Sequence, residues 1–81
     1  MQVSIEFVGH QRIITKTDSI DMPLTEKMTV NDALEYVRQQ YPDLPLNEGT
    51  ILITVNKRMA SLDRVLSTND TISFLPPISG G

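Results

Sequence analysis

The sequence predicts an α+β fold in which a mixed sheet of about five strands packs on one main helix. Apolar and polar residues alternate in several short segments, which is the spacing of half-buried strands, whereas helical spacing occurs in one segment at about 30–40. The 81 residues suffice for one domain with one thin core. A single sheet curled around one face of the helix is therefore the simplest way to bury both apolar faces.

Two strands are predicted before the helix. The apolar members of their alternating patterns are Val3, Ile5 and Phe7 in the first strand and Ile20, Met22 and Leu24 in the second. The first strand is expected over 2–8. Pro23 indicates that the second strand lies at an edge or ends there, because proline donates no hydrogen bond to a ladder. The connection over 9–19 is mostly polar, and one interpretation extends the second strand backwards through Ile13 and Ile14.

A helix is predicted over 30–40 because apolar residues recur there at helical spacing. These residues are Val30, Ala33, Leu34, Val37 and Tyr41. Thr29 is in position for an N-cap, and Asp32, three residues on, forms a short version of the capping box. Pro42 disfavours helical geometry at the residue before it, so the helix should end near Gln40.

Three further strands are expected after the helix. The first covers 51–55, where Leu52 stands among alternating apolar residues and indicates that both faces of this strand are partly covered. Residues 56–58 predict a tight turn into a short strand around 59–61. The last strand begins after a polar turn and stops at Leu75, because the two prolines that follow lack an N–H group.

Composition argues against several classes of function. The chain has no cysteine and one histidine, His10, and its aspartates are scattered, so no metal site and no nucleophile–base pair is expected. A net charge of −3 with 5% aromatic residues argues against binding to nucleic acid. No apolar stretch approaches the roughly 20 residues of a membrane span, and no export signal is evident, so a cytoplasmic location is expected. A pocket of even ~300 Å³ would take much of so small an interior, so an enzyme is not expected.

The end of the chain differs from the rest. No ionisable side chain occurs after Asp70, and 76–81 consist of two prolines, Ile78, Ser79 and two glycines. We therefore expect a domain over 1–75 followed by a flexible tail over 76–81. A carboxylate preceded by two glycines can enter a channel too narrow for other residues, and an activating enzyme can convert it to an acyl-adenylate. The alternative interpretation is an ordinary frayed terminus.

The turn Asn56-Lys57-Arg58-Met59 and the ending Ile72-Ser-Phe-Leu-Pro-Pro-Ile-Ser-Gly-Gly81 resemble the MoaD/ThiS family of sulfur-carrier proteins. The likeness is greatest to the MoaD branch, the small subunits of molybdopterin synthase, whose members end in a hydrophobic pair, Pro-Pro, two small residues and Gly-Gly. The resemblance covers essentially the whole chain. It implies a ubiquitin-like β-grasp fold and a carrier that is not itself an enzyme, although it can serve as the small subunit of a synthase-like sulfurtransferase.

The resemblance also implies roles for the tail. Gly81 would be adenylated by an E1-like enzyme that uses ATP and then converted to a thiocarboxylate that donates sulfur to molybdopterin or tungstopterin synthesis. Gly80 and Ser79 would give it passage, and the chain would bind no cofactor itself. Its partners would be the activating enzyme and a synthase large subunit or another sulfur acceptor. The implied docking residues are Phe7, Met59, Phe74, Leu75, Pro76, Pro77 and Ile78. For Phe7, Met59 and Phe74, ordinary core packing is the alternative.

Residues 9–19 depart from the family pattern. Family members usually have an Arg-Glu-containing segment there that begins a short helix, whereas this chain has His10-Gln-Arg-Ile-Ile-Thr-Lys-Thr-Asp18. The same tail would also suit a carrier for thiamine synthesis or transfer-RNA thiolation. A second class of function is a ubiquitin-like modifier that forms isopeptide bonds through Gly81. A third class is an interaction domain whose tail takes part in no chemistry.

Overall fold

The structure is a computed structural model that describes residues 1–46 and 51–75. The elements of the described chain are β1 (Gln2–Glu6), α1 (Gln11–Thr15), β2 (Ser19–Pro23), α2 (Val30–Gln40), β3 (Leu52–Val55), β4 (Arg58–Met59) and β5 (Thr71–Leu75). The strands form one mixed sheet in the order β2-β1-β5-β3-β4. The predicted α+β fold, with five strands and one main helix, is therefore confirmed. The predicted tail, 76–81, lies outside the described residues.

The centre of the sheet is the parallel pair β1 and β5, in which Ile5 lies opposite Ile72. The other three pairings are antiparallel. A parallel pair needs a long crossover connection, and α2 lies within the one that joins these two strands. As Pro23 indicated, β2 is an edge strand, and β4 forms the opposite edge.

The core lies between one face of the sheet and α2. Along β1, β3 and β5 alternate residues are buried, because successive side chains of a strand point to opposite faces. The core members from these strands and α2 are Val3, Ile5, Val30, Ala33, Leu34, Val37, Ile53, Val55, Ile72 and Phe74. The sheet face turned away from α2 is consequently left without a helix among the described residues.

Helix α2 has the predicted bounds and the predicted cap. The Thr29 hydroxyl accepts a hydrogen bond from the Asp32 backbone N–H at 3.4 Å, and the Asp32 carboxylate accepts one from the Thr29 N–H at 2.8 Å. This reciprocal pair satisfies two donors that an uncapped helix start would leave free. The helix ends at Gln40, as expected from Pro42.

The backward extension of β2 through Ile13 and Ile14 is wrong, because 11–15 form the short helix α1. Gly9, with φ of +53°, turns the chain out of the sheet, and Lys16, with φ of +61°, ends the helix. Ile14 packs against the core, whereas Ile13 is 69% exposed. A short helix thus forms here although the sequence of 9–19 departs from the family pattern.

Three strand boundaries also differ from expectation, the smallest difference being that β3 begins at Leu52 instead of residue 51. Strand β1 ends at Glu6 instead of residue 8, since the turn at Gly9 carries the chain away from the sheet. Strand β4 is shorter and earlier than the predicted 59–61, because the tight turn uses only two residues and pairing begins at Arg58. No helix among the described residues is both long and apolar enough to span a membrane.

Candidate functional site

The predicted tail leaves the molecule from the middle of the sheet. Leu75 is the last residue of β5, and β5 is hydrogen-bonded to β1 on one side and to β3 on the other. The strand that carries the tail's root therefore has a neighbouring strand on each side, and Leu75 itself is paired with Leu52 of β3. Six of the predicted site residues, Pro76, Pro77, Ile78, Ser79, Gly80 and Gly81, lie outside the described residues, and their roles stay predictions.

The described docking residues divide into buried and exposed ones. Phe7 and Phe74 are 4% and 1% exposed, so both side chains belong to the core. The Phe7 ring packs edge to face on Tyr41, with the ring centroids 5.5 Å apart. Met59 is 65% exposed, and Leu75 is half-buried. In this structure Met59 and Leu75 supply accessible apolar surface, while the two phenylalanines support the strands beneath it.

The sheet face turned away from α2 carries an apolar patch at the tail's root. Leu52 lies directly opposite Leu75 in the β3–β5 pair, and Met59 lies opposite Thr54 in the β3–β4 pair. Residues opposite each other share a face, and Leu52 and Thr54, two apart, share it too. We call Leu52, Met59 and Leu75 the open-face patch. Exposed apolar residues grouped in this way are typical of protein-binding surfaces.

Leu52 was not predicted as a docking residue. Its interruption of the alternation predicts partial cover on both faces of β3, and in the structure its side chain is 41% exposed. The interruption is also the signal from which a docking role for Leu52 could have been predicted, since a leucine on the exposed face of a strand adds apolar surface to that face.

Gln11 of α1 holds the last part of β5. The last paired residues of β1 and β5 are Glu6 and Ser73. Beyond them the Gln11 side chain lies against β5, and its Nε2 donates to the Phe74 carbonyl oxygen at 2.6 Å. Its Oε1 accepts from the Val8 backbone N–H at 3.0 Å, and the residue is buried. One side-chain amide thus continues the sheet's hydrogen bonding up to the residue before Leu75.

The β3–β4 turn has the backbone geometry of a two-residue hairpin. Asn56 and Lys57 have φ of +54° and +70°, as a type I′ turn requires at both central positions. Asparagine is among the residues that tolerate this left-handed conformation best. The turn delivers Met59 to the open-face patch, so its geometry sets the position of that side chain.

Asn56 also ties this turn to the start of β5. Its Nδ2 donates to the buried Asp70 carboxylate at 2.8 Å, and its Oδ1 accepts from the Thr71 N–H at 3.0 Å. The other Asp70 oxygen accepts from the Ser67 N–H at 2.8 Å. The sequence placed Asp70 among scattered aspartates, because nothing local reveals a partner 14 residues away. The turn and the tail-bearing strand are thereby one connected unit.

Within 1–46 and 51–75, no three His, Cys, Asp or Glu side chains are grouped so that they could hold a metal ion. His10 is exposed at the start of α1, as expected for a loop histidine. The arrangement can present an apolar surface and a firmly held strand end to another protein.

Sequence comparisons give relatives over nearly the whole chain. The model of the ThiS family matches residues 5–81. The molybdopterin synthase sulfur carrier subunit of Escherichia coli (strain K12) is 29% identical over 83 residues, covering 98% of this chain and 99% of that protein. The subunit of the same name from Dictyostelium discoideum is 33% identical over 64 residues, covering 76% of this chain and 73% of that protein.

Solved structures show the same fold. SAMP1 from Haloferax volcanii superposes with a TM-score of 0.84 at 19% identity, over 100% of both chains. A chain in the complex of subunits 1 and 2 of the molybdopterin-converting factor from Helicobacter pylori 26695 superposes with a TM-score of 0.66 at 26% identity, again over 100% of both chains. These neighbours confirm the ubiquitin-like β-grasp fold.

Proposed function

This chain belongs to the ThiS family, and from that membership we propose that it is a non-catalytic sulfur carrier whose C-terminal Gly81 bears the sulfur as a thiocarboxylate. The observation that carries the proposal is the Pro-Pro-x-x-Gly-Gly ending on a β-grasp domain. A sulfur carrier subunit that this chain matches over 99% of that protein's length supports it.

The chemistry requires activation of Gly81 by a partner. A carboxylate oxygen of Gly81 attacks the α-phosphate of ATP on an E1-like enzyme, and pyrophosphate leaves. Hydrosulfide or an equivalent sulfur nucleophile then attacks the acyl carbon, and AMP leaves, which gives the thiocarboxylate. Transfer of the sulfur to an acceptor and addition of water would restore the carboxylate. No step needs a reactive side chain on the carrier.

The sulfur acceptor we propose is the precursor of molybdopterin or tungstopterin, held by a synthase large subunit. Two relatives bear the name of the molybdopterin synthase sulfur carrier subunit. The Helicobacter pylori neighbour is a complex of subunits 1 and 2 of the molybdopterin-converting factor. The open-face patch beside the root of the tail is the surface we expect such a large subunit to cover.

Intact mass measurement tests the carrier role. The purified chain is incubated with ATP, sulfide and the E1-like enzyme encoded in the same genome, and a gain of about 16 Da, from oxygen to sulfur, is expected on Gly81. Removal of Gly80 and Gly81 should abolish the gain and leave the circular dichroism spectrum unchanged. A wild-type chain that acquires no sulfur with its cognate enzyme would contradict the proposal.

The same materials separate the carrier from a modifier. Both roles share the adenylate, and they differ in whether sulfur or a lysine amine attacks it. Peptide mapping of cell extract for Gly81 joined to lysine would identify a modifier. Abundant thiocarboxylate without such linkages favours the carrier, whereas full function after removal of both glycines would indicate an interaction domain without tail chemistry.

A further inference from the structure

Three cations gather around the β3–β4 hairpin of a chain whose net charge is −3. They are Lys57, Arg58 and Arg64, all exposed, out of seven lysines and arginines in the sequence. Elsewhere in the described chain, Arg12 and Arg38 lie within 4.0 Å of a carboxylate, whereas Lys16 and Lys27 do not. None of the three hairpin cations has such a partner among residues 1–46 and 51–75. Their charge is therefore available to a group outside the described chain.

A cleft of about 460 Å³ lies at this corner of the molecule. Its lining residues are Val55, Asn56, Arg58, Met59 and Arg64. Two arginines and the apolar residue Met59 thus border one space. The cleft adjoins β4, the terminal strand of the sheet, whose outer side faces no other strand in the described chain. An extended segment can approach such an edge closely.

Both walls of the cleft are fixed by hydrogen bonds, one by backbone bonds and the other by bonds of the Asn56 side chain. The Arg64 carbonyl oxygen accepts from the Val30 N–H at 2.9 Å, and the Leu62 carbonyl oxygen accepts from the Asn31 N–H at 2.9 Å. These bonds fasten the loop that carries Arg64 to the start of α2. The opposite wall is the turn that Asn56 ties to β5. A cleft already held in shape loses little conformational entropy when it binds a ligand.

We propose that this cleft binds an extended acidic segment of the protein partner that receives the tail. Carboxylates of that segment would pair with the guanidinium groups of Arg58 and Arg64, for which planar two-oxygen anions are the best match. An apolar side chain of the segment would contact Met59. The proposal rests on the proposed function, because it adds a contact of the domain to an encounter in which the tail reacts.

Charge and continuity favour an acidic protein segment as the occupant. The rest of this acidic chain repels a negatively charged partner, so attraction at one corner orients the encounter. Met59 belongs both to the cleft and to the open-face patch, which makes the two surfaces continuous. No aromatic ring lines the cleft, whereas binding of single-stranded nucleic acid relies on stacking as well as on positive charge.

Charge reversal with a matched control tests the cleft. The full-length double variant Arg58→Glu/Arg64→Glu is compared with Lys16→Glu/Lys27→Glu, which changes the net charge equally at two exposed residues that do not line the cleft. The binding probes are the E1-like enzyme and the synthase large subunit from the same genome, measured by calorimetry at low and high salt. The arginine variant should weaken binding of at least one probe by about tenfold or more and reduce its salt dependence, and the lysine variant should not.

The possible outcomes distinguish a failure of the cleft proposal from a failure of the proposed sulfur-carrier function. If the arginine variant folds and binds both probes with wild-type affinity, the cleft proposal is wrong, and sulfur loading of the wild-type chain can still be observed. A wild-type chain that acquires no sulfur but binds a probe in an arginine-dependent way would overturn the carrier function and leave the cleft standing. If the arginine variant changes neither probe's binding, two other results would assign the cleft to another occupant. One is arginine-dependent binding of fluorescent transfer RNA, and the other is arginine-dependent self-association measured by sedimentation.

Discussion

The side chain of Gln11 occupies the position that a further residue of β1 would occupy beside β5. Its amide accepts from one backbone N–H and donates to one backbone carbonyl, as a strand residue does. Both backbone groups belong to segments that would otherwise lose their partners where β1 ends. A single buried polar side chain thus extends the hydrogen bonding on the β1 side of β5 as far as Phe74, while the β3 side pairs up to Leu75.

At this scale we predict that Gln11→Leu destabilises the fold. The substitution leaves the buried Phe74 carbonyl and the part-buried Val8 N–H without this side-chain partner, and an unpaired buried group costs about 1–3 kcal/mol. Urea unfolding should show a lower midpoint with an unchanged slope, and amide exchange should accelerate at the end of β5. Gln39→Leu, at an exposed position of α2, is the control and should change stability by less than about 0.5 kcal/mol. If the two substitutions change the stability equally, the Gln11 hydrogen bonds do not stabilise the end of β5.

Among the elements, the β3–β4 hairpin combines a strained backbone with side-chain anchoring. Asn56 contributes to both, because it adopts a left-handed φ and its side chain bonds Asp70 and Thr71. The two contributions can be separated by substitution. Glycine keeps the backbone freedom and removes the side chain, whereas alanine removes both.

We predict that Asn56→Ala lowers the free energy of unfolding by about 2–3 kcal/mol and Asn56→Gly by less. The difference in free energy of unfolding between the two variants measures the cost of the left-handed backbone at this position. The loss in Asn56→Gly relative to wild type measures the contribution of the Asn56 side chain, including its bond to Asp70. Thermal and urea unfolding give both quantities. In Asn56→Gly, chemical shifts of Thr71 should move more than those of β2, which lies at the far edge of the sheet. Equal stability of the glycine and alanine variants would show that the positive φ carries no cost.

The elements differ in how far the sequence could predict them. Helix α2 was predictable because its apolar period and its cap are both local in sequence. Helix α1 was not, since two left-handed residues at its ends and core contacts of Ile14 stabilise it instead of a repeating pattern. The contacts of Gln11 with Phe74 span 63 residues, a separation that no local pattern encodes. The open-face patch needed the strand register, which pairs Leu52 with Leu75.

At the scale of the whole molecule, one face of the sheet packs in the core and the other is accessible to partners. The face toward α2 is filled by the core, and the opposite face carries the open-face patch beside the last described residue of β5. Substitutions on the second face should therefore affect binding without affecting folding. Leu52 and Met59 are the most exposed members of the patch and make this separation testable.

We predict that Leu52→Glu/Met59→Glu weakens binding of the synthase large subunit at least tenfold and slows sulfur transfer, while the unfolding midpoint changes little. Two carboxylates on this face would have to be desolvated against an apolar partner surface, a cost that folding of the free chain does not include. The control is Ile13→Glu/Gln39→Glu, which adds the same charge at two exposed residues that belong neither to the patch nor to the lining of the cleft. Adenylation of Gly81 at saturating activating enzyme should persist in both variants, because the tail is unaltered. If the patch variant binds the large subunit as tightly as the control does, the open-face patch is not the surface that this partner covers.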